Sequence, residues 1–493
     1  MSLSSNGAVV GVTSINPNDR RNTMSEPTEP VATIHIASYP HDMSHPDSPP
    51  EVPKAERRRG ILAAGAGNFI EYYDYLVYGT FATVIAAVFF PEESDVAALL
   101  YTFAIFGVSF VARPIGAAIF GHLADKVGRK TSLAWSVFVM VAATLVMGLA
   151  PSYATVGVLG SIVLFIGRFA QGIAFGGEFG SAASYIVEIA PKNRRGLYGS
   201  IQLFSGGLGT LAGVGIGVLL TATLPEEAVK SWGWRLAFLI GVPLGLIGLY
   251  LRRRLEETPE YSKIMSDDKV EKSPLVAVFR FHWRRVVTAA GAVMGFAASA
   301  YILVSYIPSY LTKTVGFEYG TSLKILFAGL VVYVLCIPLV GLMSDLWGRR
   351  AVGVLGYAVY LISIVPAFLL MNSGSAGLAT MGCLLVAVAQ ACLGGAIPAL
   401  LVEMFPSGVR ASGVSVGYSS SVALFGGTAP LIGTALVAST GSGIAASYYV
   451  LICIAVSIAV IATPTAWRAP VHGLTSKAQR TKQSQLAFGD PVD

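Results

Sequence analysis

Five ionisable side chains lie within stretches that are otherwise apolar: Glu71, Asp74, Arg113, Arg168 and Glu178. A charge at the centre of a bilayer costs at least about 2.5–3.5 kcal/mol, so such residues persist where they face an interior, pair with one another or handle ions and solutes. Asn68, Glu71, Tyr75 and Tyr78 recur at helical intervals, with Asp74 one turn from Glu71 and Tyr78. Arg168, Gln171, Phe175 and Glu178 form a second stripe. Asp74 with Glu71 reads as a protonatable element and Arg168 as its counter-ion; the alternative is a permanent ion pair that only fixes helix packing. Arg113 either grips a substrate carboxylate through its planar fork or balances Glu178 or Glu71. Gln171, Glu178, Tyr78, Tyr306 and Gln390 complete the expected substrate-facing set. Tyr306, Pro308 and Tyr310 line a cavity, form an outer gate or anchor a helix at the membrane interface.

Such residues need a membrane scaffold, and composition supplies one. Of 493 residues, 54% are hydrophobic and 13% charged, with a mean hydropathy of +0.64; a soluble domain carries about 25% charged residues. Apolar runs of spanning length occur near 61–90, 96–120, 132–150, 156–186, 197–223 and 234–251, then near 286–311, 322–343, 351–371, 376–401, 411–438 and 445–467. The expected fold is therefore all-α, with twelve transmembrane helices in two six-helix bundles, 56–251 and 286–467. A polar loop at 252–285 joins the bundles, and polar tails at 1–55 and 468–493 read as disordered and cytoplasmic.

Basic residues set the orientation. With the N-terminus inside, 26 of the 34 Lys and Arg fall in the stretch just before the first helix, the inner loops and the C-terminal tail, against four at the outer side. The net charge of +6 is thus a topology signal, and no nucleic-acid partner is expected. The four cysteines lack metal-ligand spacing. Without a metal cluster, phosphate loop or nucleophile motif, neither an enzyme nor a cofactor is expected.

The chain repeats itself. GHLADKVGRK at 121–130 returns as GLMSDLWGRR at 341–350, and EIAPKNRRG at 188–196 returns as EMFPSGVRA at 403–411. Gly121, Asp125, Gly128, Arg129, Glu188 and Arg195 therefore correspond to Gly341, Asp345, Gly348, Arg349, Glu403 and Arg410. These twelve residues read as a cytoplasmic gate: glycine admits close packing, aspartate caps a helix N-terminus, and arginine pairs with nearby acids.

These loops resemble the signature of the major facilitator superfamily. GNFIEYYD at 67–74, RPIGAAIFG at 113–121 and RFAQGIAFGGE at 168–178 resemble, more narrowly, its metabolite:H⁺ symporter family. WGWR at 232–235, LYLRRRLEETP at 249–259 and FGGTAP at 425–430 extend the likeness. The resemblance implies two six-helix bundles, a central cavity and alternating access. It also implies a small-molecule substrate with protons as co-substrate, in a carrier of the inner membrane; a monomer is expected. Members carry α-ketoglutarate, citrate, shikimate, and proline or betaine. Two interior arginines favour a carboxylate-bearing solute, either a mono- or dicarboxylate or a zwitterion such as proline or betaine, and Arg168 resembles the organic-acid carriers, which makes an organic acid the main reading. YILVSYIPSYL at 301–311 resembles the proline/betaine carriers, which stand as the alternative. A proton-driven efflux antiporter is less favoured, because the glycine-rich stretch at 206–217 lacks a Gly-Pro element.

Overall fold

A computed structural model describes residues 7–9, 37–39, 54–117, 119–120, 129–176, 178–253, 274–405 and 409–463. The side chains of a few of these, Arg129 and Glu178 among them, are not described. Residues 1–53 form a unit separate from 54–493. In the first unit the described residues are two strands, β1 (Gly7–Val9) and β2 (Ala37–Tyr39), paired antiparallel with Ala8 opposite Ser38. The rest of the tail that the sequence reads as disordered lies outside the described residues, as does 464–493.

The second unit is a helical membrane domain. Among the described residues nine helices are long and apolar enough to cross a membrane. They are α2 (Asp95–Ala117), α5 (Arg195–Thr223), α6 (Glu226–Tyr250), α7 (Trp283–Val315), α8 (Tyr319–Trp347), α9 (Arg349–Met371), α10 (Ala376–Met404), α11 (Arg410–Thr440) and α12 (Ala445–Ala462). Three more complete the expected twelve: α1 (Lys54–Thr80, continued by Ala82–Phe89), α3 (Arg129–Gly148) and α4 (Val158–Ala174, continued by Glu178–Glu188). α1 is less apolar because Asn68, Glu71 and Asp74 occupy its middle. Large apolar side chains such as Ile362, Leu335 and Leu339 point outward at 74%, 64% and 62% exposure. In lipid those positions face acyl chains, so the fold buries its polar groups instead.

Two features depart from the sequence reading. The linker expected to run to residue 285 is partly helical, with a short helix at Pro274–Phe281 and α7 starting at Trp283. Pro274 suits that helix start, where its missing N–H leaves no bond unmade. Several spans are also interrupted: α1 at Phe81, α4 between Ala174 and Glu178, and α10 at Gly395–Ala396. α7 carries π-helical turns at Ile302–Tyr306 and Leu311–Val315, and α11 one at Val422–Gly426. Extra residues in a helical turn re-aim the side chains around them, and such bulges often mark functional sites.

Candidate functional site

Among the described residues, the buried charged side chains are Glu71, Asp74, Arg113 and Arg168. Asp74 is 4% exposed. It accepts a hydrogen bond from Gln171 Nε2 at 2.9 Å, and Thr144 Oγ1 lies 2.6 and 2.5 Å from its two carboxylate oxygens. Arg168, fully buried, makes no direct ion pair with Asp74. Its Nη1 donates to Gln171 Oε1 at 2.7 Å and to the Tyr75 carbonyl at 3.2 Å. Arg168, expected from sequence as the counter-ion of Asp74, is linked to it through an amide: Arg168 donates to Gln171, and Gln171 donates to Asp74. The i, i+3 spacing of Arg168 and Gln171 on α4 makes the bridge local on one side. Glu71, on α1 with Asp74, is buried and has an interaction partner of its own. Asn68 turns toward α5, where it exchanges hydrogen bonds with Gln202 and donates to Ser205.

Arg113 and Arg168 flank one aromatic ring. Their guanidinium carbons lie 5.1 and 4.6 Å from the Tyr75 centroid. Arg113 also packs on Phe110 and Phe175, and Arg168 on Tyr78 and Phe106. Aromatic faces stabilise a desolvated cation by about 2 kcal/mol, which helps hold two like charges inside one bundle. Nε and Nη2 of both arginines nevertheless have no hydrogen-bond partner. Each unmade buried bond costs about 1–3 kcal/mol or more for a charged group. An incoming carboxylate would offset that cost.

Between the two halves lies a small cavity of about 40 Å³, lined by Tyr72, Tyr301, Tyr333, Tyr418, Phe296 and Gln390 among others. Tyr72, Tyr301 and Tyr418 are also electrostatic neighbours of Arg113. Of the residues expected from sequence, Gln390 lines the cavity, held by Ser299 Oγ at 2.6 Å, and Arg113 stands beside it. Gln171 belongs to the Asp74 network instead. Tyr78 donates to the Thr102 carbonyl at 3.1 Å and packs on Arg168. Tyr306 donates to the Gly433 carbonyl and stacks on Tyr310, away from the cavity lining. The Glu178 side chain is outside the described residues. Sequence reasoning missed Thr144, Tyr72, Tyr333 and Tyr418. A tyrosine or threonine in an apolar span costs little, so only its neighbours reveal it.

At one end of the bundle the second copy of the repeated motif closes the halves together. Asp345 accepts from the backbone N–H groups of Gly196 and Leu197, both at 2.8 Å, and so caps α5. Arg349 Nη2 pairs with Asp345 at 2.7 Å, and its Nε approaches Glu403 at 3.5 Å. Arg410 pairs with Glu188 across the halves at 2.7 Å. Gly348 supports the turn with φ +92°, a left-handed conformation that glycine adopts without strain. Arg195 opens α5, and its Nε has no hydrogen-bond partner. Gly121, Asp125 and Gly128 of the first copy lie outside the described residues, as does the Arg129 side chain. We expect Arg410→Glu to slow transport severalfold, and Glu188→Arg in that background to restore at least half of the rate. Initial uptake rates of the two single variants and the double variant measure this; no rescue would remove the pair from the gate.

Contacts join the halves at the opposite end too. Tyr319 Oη donates to the Thr80 carbonyl at 2.8 Å, and Lys313 pairs with Asp95 at 2.9 Å. Helices of membrane-spanning length, joined by contacts at both ends around a small interior cavity flanked by buried charges, define a membrane transporter.

Comparison with known proteins agrees. A family model described as Major Facilitator Superfamily matches residues 66–416. The proline/betaine transporter of Salmonella typhimurium is 33% identical over 446 residues, covering 88% of this chain and 89% of that one. The citrate-proton symporter of Klebsiella pneumoniae is 33% identical over 390 residues, covering 79% and 87%. Among solved structures, that of a D-xylose-proton symporter aligns with a TM-score of 0.62 at 20% identity, over 83% of this chain and 97% of that one. The chain belongs to the Major Facilitator Superfamily.

Proposed function

We propose that this protein is a proton-coupled symporter that brings a small carboxylate-bearing zwitterion of the proline or betaine kind into the cell. The observation that carries this reading is the tyrosine-lined cavity beside Arg113. A quaternary or secondary ammonium is attracted to aromatic faces, and a carboxylate matches the unpartnered edge of a guanidinium. One solute with both groups would engage both features. The proline/betaine transporter among the relatives supports the same class. The organic-acid reading draws on a separate observation, the unpartnered nitrogens of Arg168 in addition to those of Arg113, and on the citrate-proton symporter.

In this mechanism Asp74 takes up a proton, its charge is neutralised, and the solute and proton become enclosed together. Arg113 binds the carboxylate; Tyr72, Tyr301 and Tyr418 hold the cationic end. The basic end, with Asp345, Arg349, Glu188 and Arg410, faces the cytoplasm as the positive-inside rule requires. Both termini are then cytoplasmic, in the inner membrane of a cell, and the working unit is a monomer. Opening the Asp345 end releases solute and proton inside.

Uptake of radiolabelled proline, glycine betaine, α-ketoglutarate and citrate by a transport-deficient host tests the substrate class. Saturable uptake of a zwitterion supports the proposal; uptake of the dicarboxylates alone would transfer it to the organic-acid reading. We expect Arg113→Lys to raise KM at least about tenfold while keeping the charge, because lysine lacks the planar fork. An unchanged KM would reject Arg113 as the carboxylate ligand.

A further inference from the structure

The polar groups around Asp74 are not equivalent. Arg168 donates only. Its bond to Gln171 Oε1 fixes the Gln171 amide, so Nε2 faces Asp74 and Thr144, 2.9 Å from each. Gln171 can therefore only donate toward the carboxylate. From α6, Gly241 approaches closely enough that a Cβ there would lie 3.1 Å from Asp74 Oδ1, and it brings no side chain. On α1 itself Glu71 is buried and engaged, Tyr73 Oη donates to the Ala237 carbonyl, Tyr75 Oη pairs with Ser109, and Tyr78 Oη donates to Thr102. Arg113 stands beyond Tyr75.

An ionised Asp74 is well served by these donors. A neutral Asp74 is not, because its own O–H then needs an acceptor. Thr144 Oγ1 is the group in contact that can supply one. It touches both carboxylate oxygens, and the Met140 carbonyl lies 3.0 Å from the same hydroxyl. One hydroxyl proton serves three nearby oxygens. When Asp74 is ionised, Thr144 donates to it. When Asp74 is protonated, the carboxyl O–H donates to Thr144 Oγ1, and the Thr144 proton turns back to Met140.

We propose that Thr144 is the positioning residue of the proton site, a hydroxyl that reverses its hydrogen bond each time Asp74 gains or loses a proton. This rests on Asp74 being the proton-coupling carboxylate. The proton adds to a carboxylate oxygen and leaves from it, and Thr144 keeps its own proton throughout. The arrangement lets both protonation states stay buried without an unpaired hydrogen, which a transport cycle through an occluded state requires. α3 supplies it from outside the two polar stripes of α1 and α4.

Removing the hydroxyl affects the two states unequally. A bond to a carboxylate is charge-assisted and about twice as strong as one between neutral groups. Thr144→Val should therefore weaken the ionised form more and shift Asp74 titration to higher pH, by about half to one unit. Thr144→Ser keeps the hydroxyl and should titrate as the wild type does.

Infrared pH titration of the purified full-length protein in lipid nanodiscs follows the carboxylic C=O band directly and requires no substrate. The Asp74 band is the one that vanishes in Asp74→Asn. An alkaline shift in Thr144→Val with recovery in Thr144→Ser supports the inference. An unmoved midpoint in Thr144→Val, or an equal shift in the serine variant, overturns it. If no titrating band is lost in Asp74→Asn, the proton-site assignment itself fails, and the inference falls with it.

Discussion

Asp74→Asn abolishes accumulation driven by an imposed pH gradient, yet leaves counterflow exchange within about twofold of wild type: this is the expected result with the largest effect. Asparagine has the shape of a neutral aspartic acid. Its carbonyl can accept from Gln171 Nε2, and its amide can donate to Thr144 Oγ1, whose proton then turns to Met140. The variant thus keeps the contacts of the proton-loaded carrier but has lost the titration. With one proton per solute, a gradient of one pH unit supports about tenfold accumulation in the wild type. In Asp74→Asn the inside and outside concentrations should become equal. Uptake and counterflow in proteoliposomes separate the two properties. A variant that still accumulates solute fully under the gradient would show that the coupling carboxylate lies elsewhere, with Glu71 the next candidate to test.

Gly196→Val should nearly stop transport by a different route, preventing closure at the Asp345 end. A Cβ at Gly196 would lie 2.1 Å from Ser344 Oγ and 2.6 Å from the Gly341 carbonyl, with α8 backbone directly opposite. Serine can rotate away; the carbonyl cannot. Overpacking of this kind costs about 1–3 kcal/mol, enough to move a balanced open–closed equilibrium by about 5- to 150-fold. The helix can still form and insert, since the clash exists only when α5 and α8 meet. A cysteine placed at Ser200 should then react with a membrane-impermeant maleimide at least about five times faster than in the wild-type background, in inside-out vesicles. Unchanged labelling together with normal uptake would mean that α5 and α8 do not close this end during transport.

The sites of these two variants were legible to different degrees. Asp74 is visible in the sequence because an acid in an apolar helix has a large local cost. Asp345 is visible because GLMSDLWGRR repeats an earlier segment. Its partners are less so: nothing in RRGLYG at 194–199 announces that the N–H groups of Gly196 and Leu197 will receive the Asp345 carboxylate. The Arg168–Asp74 relation was readable as proximity but not as geometry. Only side-chain placement shows Gln171 standing between them.

The sequence by itself determined the membrane class, the twelve spans, the duplicated motif and the presence of opposite charges inside the first half. Each follows from a one-dimensional property: apolar length, helical period, basic-residue asymmetry or local desolvation cost. The tertiary structure alone decided what those charges touch. Thr144 reaches Asp74 across 70 residues of sequence, and Tyr72, Tyr333 and Tyr418 come from three helices to one cavity. Their residue types are inexpensive in a membrane helix, so they leave no energetic mark on the sequence. Only their convergence distinguishes them from ordinary packing and supports the proposed binding surface and proton site.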